Sequence, residues 1–170
     1  KEFLKQTGEF TVNIALIEEA EPVVGVVHVP VTGVTYSAVV GSGAWVEGPG
    51  RERVVIRTRA ANLDGLVVVA SKDHAGPRVT AFLAGLAGAR ANSMGSSLKF
   101  CLVAEGQADF YPRVVPTMEW DTAAAQCIVE VAGGRVTDLL GQRLLYNKED
   151  IRNPSIMTFG DPLVDWVRFF

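Results

Sequence analysis

Asp121 is the side chain in this sequence with the most chemistry to offer, a carboxylate placed where a long apolar stretch begins. From Glu119 to Gly134 the apolar residues recur at helical spacing. Ala124, Ile128 and Val131 share one face, and Ala125, Val129 and Ala132 share a neighbouring one. Thr122, Gln126 and Glu130 are left as a narrow polar stripe, so the helix should be buried on most sides. Asp121 stands at the expected N-cap, and Gly133 supplies the permissive backbone that ends helices. Two chemistries follow. Asp121 can simply cap the first turn, or, because Pro116 and Trp120 stiffen its approach, it can hold a hard cation and a phosphate together beside the positive helix end.

Three further groups carry charge or hydroxyls to element ends. Gly95-Ser96-Ser97-Leu98-Lys99 offers hydroxyls, free amides and a cation at one helix start, which suits a phosphate; a Ser-capped helix with a surface lysine is the plainer reading. Arg113 follows Tyr111-Pro112 at the end of an apolar strand, where it can grip a phosphate or carboxylate bidentately or lie in solvent. His74, in Ser71-Lys72-Asp73-His74, can contact a phosphate or a base, or cap a turn. All four groups fall at strand ends or helix starts of one half of the chain, so they could converge on a single anion.

Other reactive types read as structural. His28 sits inside a strand with no partner at metal spacing. Cys101 and Cys127 lie in apolar helical patterns without a Cys-x-x-Cys pair, as small core residues of a reducing compartment do. Gly41-Ser42-Gly43 lacks the third glycine and following helix of a phosphate loop, which leaves a tight turn between strands.

The elements that must position these residues divide into two halves. Phe10, Val12, Ile14 and Leu16 alternate with polar or small residues, which predicts a strand over 9–16 with those four side chains inward. A turn over 18–22 and a β-branched strand over 23–29 complete an antiparallel hairpin. Strands are expected over 34–40 and 54–57, with a polar, glycine-rich stretch at 47–53 and a linker at 59–65. Beyond it Leu66 to Ala70 reads as a parallel strand buried on both faces, with His74 at its carboxyl end, where open α/β sheets bind ligands. Helices over 77–86 and from Ser96 or Ser97 to Gly106 follow, then a strand over 108–113. After the Asp121 helix, 135–138 and 144–146 read as a hairpin, 157–159 as a last strand and 161–170 as a terminal packing segment. The fold class is α/β, with an antiparallel sheet lobe over 1–62 and a mixed, mostly parallel α/β lobe over 63–170.

Composition narrows the function classes. The 170 residues are 48% hydrophobic, enough for one buried core. The net charge of −3 with no run of Lys or Arg argues against a nucleic acid polymer as partner. Apolar runs stay far below the roughly 18 residues that span a bilayer, so no transmembrane segment is expected.

The stretch Trp120-Asp121-Thr122-Ala123-Ala124-Ala125 through Gly133-Gly134 closely resembles the second signature of the inositol monophosphatase-like, lithium-sensitive phosphatases. Gly95 through Arg113 resembles the bacterial 3'(2'),5'-bisphosphate nucleotidases, the CysQ branch of that superfamily. So do Lys1-Glu2-Phe3-Leu4, the run from Gly8 to Ile17, Gly25-Val26-Val27 and Pro30-Val31. The resemblance implies a layered α+β sandwich in which Asp121 ligates Mg2+ and His74, Ser96, Lys99 and Arg113 contact the nucleotide and its phosphates. Inositol monophosphatases usually carry a Glu where Arg113 stands, and they lack a match to Lys99.

Two departures accompany it. The nucleotidases commonly show Ser-Arg-Ser-His where this chain has Ser71-Lys72-Asp73-His74. The first family signature, Asp-Pro-x-Asp-Gly-Thr, is expected immediately before Lys1, with a further Glu ligand upstream, so the other metal ligands would lie outside this chain. The implied activity is magnesium-dependent removal of the 3'-phosphate of 3'-phosphoadenosine 5'-phosphate, giving AMP and phosphate. The metals would activate a water and stabilise the leaving oxygen. The implied setting is cytoplasmic, with a peripheral place at the inner membrane face left open. The chain by itself is expected to be inactive. An inositol monophosphatase, a sugar-bisphosphate phosphatase and a non-enzymatic phosphate-binding fragment are the alternatives.

Overall fold

A computed structural model of the chain describes residues 8–70 and 90–169. The first sheet is an antiparallel meander of β1 (Val12–Glu18), β2 (Glu21–Val29), β3 (Val34–Val39), β4 (Gly43–Gly48) and β5 (Arg51–Val55), in sequence order. β1 and β2 pair from Val12↔His28 to Glu18↔Glu21, so the hairpin expected from the alternation forms with a turn of only two residues. Glu19 and Ala20 take φ of 48° and 67° there, a backbone usually reserved for glycine or asparagine, held in place by the strand pairing on either side. His28 meets Thr35 Oγ1 through its Nδ1 at 2.9 Å, a strand histidine with a local partner. The stretch at 47–53 is not irregular: β4 runs to Gly48, and β5 begins at Arg51 after the Pro49-Gly50 turn.

β1 has the expected period, but the face opposite to the expected one is turned inward. Val12, Ile14 and Leu16 are 48%, 64% and 58% exposed, and the half-buried face carries Thr11, Asn13, Ala15 and Ile17. The reason is the partner that lies on the sheet. Ala15 pairs with Gly25, Gly25 with Ala38 and Ala38 with Ala44, a row of the smallest side chains across four strands. Onto this row packs helix α2 (Glu119–Val131), so closely that a Cβ on Gly25 would lie 2.2 Å from the carbonyl oxygen of Ala124. Large aliphatic side chains on that face would hold the helix off.

The second sheet contains β6 (Val67–Ala70), β7 (Arg90–Ser93), β8 (Phe110–Arg113), β10 (Arg135–Asp138) and β12 (Ile156–Phe159), in the order β10-β12-β8-β6-β7. β6 runs parallel to β7 and β8, while β12 is antiparallel to both β8 and β10. The expected mixed sheet is there, with its parallel and antiparallel pairings evenly divided rather than mostly parallel. The hairpin expected between 135–138 and 144–146 does not form. β10 pairs with β12, and only an isolated bridge joins Thr137 to Arg143. Two-residue strands β9 (Thr117–Met118) and β11 (Arg152–Asn153) pair beside the start of α2. The helix expected over 77–86 lies outside the described residues.

Between the sheets sit α2 and the shorter α1 (Leu98–Ala104). One buried cluster joins Val27, Ala38 and Val46 of the first sheet to Phe100, Val103, Ile128 and Val129 of the helices and Val136 and Ile156 of the second. A smaller cluster on the far side of the second sheet closes over Trp166, whose indole stacks on Phe110 at 4.7 Å between centroids. The segment expected as a linker is tied down. Thr58 donates its backbone N–H to Ala132 O, and Arg59 forms two bonds of 2.7 and 2.8 Å to the buried Asp109. No described helix is long and apolar enough to cross a membrane.

Candidate functional site

Asp121 does not occupy the N-cap. Helix α2 begins two residues earlier, with Met118 as N-cap, and Asp121 is its N3 residue, accepting the Met118 backbone N–H on Oδ2 at 2.9 Å. It is a reach-back contact of the capping-box kind, made from the third position rather than from the cap. The earlier start has a cause in the chain that follows. Glu119 donates its N–H to Ile151 O, and its carboxylate receives the N–H groups of Asn147 and Lys148 together with the Lys148 ammonium at 2.5 Å. Those contacts, distant in sequence, fix the first turn.

The polar stripe read along the helix faces the 142–153 segment and is satisfied there. Gln126 donates to Leu144 O and accepts from Tyr146 Oη at 2.6 Å. Thr122 accepts from Asn153 Nδ2 at 2.9 Å, and Glu130 is bound by Arg143. Asp121 lies off this stripe and is exposed. Burial works against the Glu119 charge, but the hydrogen bonds from Lys148 and Asn147 prevail and hold its carboxyl below the ordinary glutamate value of 4.5. A folded pKa below the unfolded one contributes stability that is complete above pH 4.5 and is lost as the pH falls through the lower folded value. Glu119→Gln is therefore expected to lower the melting temperature at pH 7, with the difference from the parent shrinking towards zero on acidification below the carboxylate range. Thermal scans from pH 7 to 3 read this directly, and a difference that widens on acidification would contradict it.

The loop before α1 is built differently from its sequence reading. Ser97 takes the N-cap position but makes no side-chain cap bond. Its hydroxyl donates instead to Asn13 Oδ1 at 2.7 Å on β1. Thr11 Oγ1 lies 2.7 Å from Ser97 Oγ and 2.6 Å from Ser96 Oγ. With the Ser97 proton committed to Asn13, Thr11 must donate to Ser97 and Ser96 must donate to Thr11, so the three hydroxyls form one directed chain. Gly95 gives its N–H to Glu9 Oε2 at 2.6 Å. Ser96 itself adopts φ 52°. Hydroxyls and an amide expected to await a phosphate are thus joined to the edge strand.

Lys99 is not the surface lysine of the plainer reading. It is 2% exposed, and its ammonium donates to Met94 O and Ser96 O at 3.0 and 2.9 Å, which closes the loop around it. Nζ also sits 5.3 Å from the centroid of the Tyr111 ring. Arg113 is half-buried at the end of β8, with its Nε buried and without a hydrogen-bond partner among the described residues. The charges of Arg113 and Asp121 are both felt at the Tyr111 phenol. Burial pushes Tyr111 up to about 12, Arg113 pulls it down and Asp121 adds to the rise.

The Lys99 ammonium thus stands over the ring of the buried Tyr111, Arg113 follows that tyrosine by two residues on the same strand, and the Arg113 and Asp121 charges act on its phenol. Ser96 joins them through its carbonyl on Lys99. His74 lies outside the described residues. Sequence reading passed over Tyr111, although its spacing of two from Arg113 on a strand places both on one face and was the available signal. Thr11, Asn13 and Glu9 had no local signal at all. A cavity of about 250 Å³ opens beside this site, between Asn13, Ala15 and Ile17 of β1 and Trp120, Ala123 and Tyr146.

A metal finds little among these residues. Asp121 is one carboxylate, and no group of three or more His, Cys, Asp or Glu side chains close enough to share an ion occurs among the described residues. They do not amount to a metal centre.

Residues 1–160 match the profile of the inositol monophosphatase family. The chain is 49% identical over 157 residues to the 3'(2'),5'-bisphosphate nucleotidase CysQ of Salmonella typhimurium, covering 91% of this chain and 62% of that protein. Its fold superimposes on the crystal structure of CysQ from Bacteroides thetaiotaomicron with a TM-score of 0.84 and 41% identity, covering 94% of this chain and 66% of that one. An inositol monophosphatase from Zymomonas mobilis shares the fold at TM-score 0.79 and 22% identity. The chain therefore spans a little over three fifths of the length of the curated CysQ relative it matches.

Proposed function

The chain belongs to the inositol monophosphatase family, and on that footing we propose that the complete protein is a 3'(2'),5'-bisphosphate nucleotidase. It removes the 3'-phosphate of 3'-phosphoadenosine 5'-phosphate and releases AMP and inorganic phosphate. The observation that carries the reading within the family is the buried Lys99 over the Tyr111 ring together with Arg113 two residues on, its Nε without a partner among the described residues. A guanidinium with its Nε unpartnered is suited to a second anionic group on the substrate, and a glutamate there would repel one.

The family is metal-dependent, and magnesium with Asp121 as one ligand belongs to this proposal. Further acidic ligands are expected from sequence preceding Lys1. Since the described residues supply Asp121 alone, their part in the reaction is the placing of charge. Arg113 neutralises and orients a substrate phosphate, and Lys99 fixes the loop that carries Ser96. His74 is proposed as a further substrate contact, and the setting as cytoplasmic.

The test compares substrates with the complete protein in the presence of magnesium. The value of kcat/KM for 3'-phosphoadenosine 5'-phosphate should exceed that for inositol monophosphate by about tenfold or more, because a site built to bind a second charged group discriminates against a substrate without one. Equal or faster turnover of inositol monophosphate would remove the nucleotidase assignment. Residues 1–170 alone should release no phosphate. Nucleotide binding without turnover by the complete protein would point to a binding role.

A further inference from the structure

We propose that Thr11 is a positioning residue, the point at which the start of β1 fixes the loop over 94–97 and, through it, the Ser96 hydroxyl offered to a substrate phosphate. The inference deepens the nucleotidase reading and rests on it for Ser96 as a substrate contact.

Thr11 immediately precedes β1, half-buried on the side that carries Asn13. Its Oγ1 lies 2.6 Å from Ser96 Oγ and 2.7 Å from Ser97 Oγ, and it accepts from Asn13 Nδ2 at 3.3 Å. Ser97, 5% exposed, gives its own proton to Asn13 Oδ1. Thr11 and Ser96, 85 residues apart in sequence, thus meet at the centre of a four-residue polar cluster. The loop is tied on either side as well. Gly95 gives its N–H to Glu9 Oε2 at 2.6 Å, and the Lys99 ammonium holds the carbonyls of Met94 and Ser96 at 3.0 and 2.9 Å.

Two local preferences are given up to hold the loop there. Ser97 stands at the N-cap of α1 and makes no cap bond, forgoing the stabilisation a serine cap normally brings. Ser96 adopts φ 52°, in the left-handed region that a β-carbon resists. Such strain persists only where the surroundings over-determine the backbone, and it gathers at sites that meet ligands. The cluster also lets Ser96 act as a donor. As the four side chains stand, Thr11 donates to Ser97 and receives the Ser96 proton. When a phosphate oxygen takes that proton instead, rotation about the Thr11 Cβ–Oγ1 bond turns the Thr11 proton to Ser96. Ser97 keeps its bond to Asn13, Asn13 keeps its bond to Thr11, and no proton is gained or lost. The Ser96 oxygen therefore keeps the partner that places it while its proton serves the substrate.

Thr11→Val keeps the shape of the side chain and drops the hydroxyl. In the complete enzyme it should raise KM for 3'-phosphoadenosine 5'-phosphate about fivefold with kcat little changed, the scale of one net hydrogen bond made alike in ground and transition states. Thr11→Ser, which keeps the hydroxyl, should hold KM within about twofold of the parent. In a Ser96→Ala background Thr11→Val should change KM by less than about twofold, since the hydroxyl that Thr11 directs is already gone. Melting temperatures show whether each variant is folded, and Thr11→Ala takes the place of Thr11→Val if the latter is not. A threonine that only braced the loop would lower the melting temperature without making its effect on KM depend on Ser96.

An unchanged KM in Thr11→Val overturns the proposal, as does an equal effect with and without the Ser96 hydroxyl, or a Thr11→Ser variant as impaired as Thr11→Val. If the parent enzyme prefers inositol monophosphate, the substrate reading fails, and the coupling is measured on that ester with the same criteria. If it hydrolyses neither, the parent, the two single variants and the double variant are titrated with inorganic phosphate. A coupled loss of affinity supports the role of Thr11. Independent losses, or a parent that binds no phosphate, overturn it.

Discussion

Asparagine at position 121 is expected to leave the fold intact and to lower turnover by the complete enzyme on the order of 10³-fold, the several kcal/mol that a lost metal ligand costs a phosphoryl transfer. The structure gives Asp121 one visible task, accepting the Met118 N–H at 2.9 Å from the N3 position of α2. Asparagine keeps an oxygen for that bond and loses only the favourable charge at the helix start, about 0.5 kcal/mol at an exposed site. The two roles therefore predict different results from one variant. A collapse of kcat with a nearly unchanged melting temperature identifies a ligand. A fall of no more than about twofold, the scale a slightly weakened cap permits, would withdraw Asp121 from the metal site and leave it as the anchor of a helix end. Asp121→Ala completes the comparison, since it also removes the acceptor and should add a stability loss of about 1 kcal/mol.

Gly25→Ala is expected to be the most destabilising single-methyl change in the first sheet. A Cβ there would lie 2.2 Å from Ala124 O and 2.8 Å from Cys127 Cβ, and both belong to the backbone or first carbon of α2, which no side-chain rotation can move aside. The helix must withdraw from β2, opening the row formed by Ala15, Gly25, Ala38 and Ala44. The cost is about 3 kcal/mol or more, which for a chain of this size lowers the melting temperature by roughly 10 °C. Gly41→Ala is the control. Nothing lies within 4 Å of a Cβ at Gly41, and only its φ of 78° resists substitution, at about 1 kcal/mol. Comparable losses at the two positions would mean that α2 does not press on the sheet as closely as described. Because α2 carries Asp121, the Gly25 variant should also lose activity beyond its loss of folded protein.

Periodicity and residue type determined much of this protein. The alternation in β1 and β2, the β-branched run of β6 and the 3.6-residue repeat of α2 are local properties, and each element formed where its pattern lay. Asp121, Lys99 and Arg113 stood out as candidates because charged residues at element ends in an apolar sequence are few, and the resemblance to phosphatase signatures gave them an expected use. Period alone does not say which face of a strand is inward. The tertiary structure turned Val12, Ile14 and Leu16 outward because α2 can approach only a row of small residues, a requirement written in a helix more than a hundred positions away. Contacts distant in sequence also turned the hydroxyls of Ser96 and Ser97 from capping α1 to the edge of β1, and a start three residues before the one an Asp121 cap requires made Asp121 an N3 residue. Tyr111 shows the limit most plainly. Its type and its spacing from Arg113 were visible, but its meeting with Lys99 depends on β8 lying under α1, and only the packed chain brings the two together.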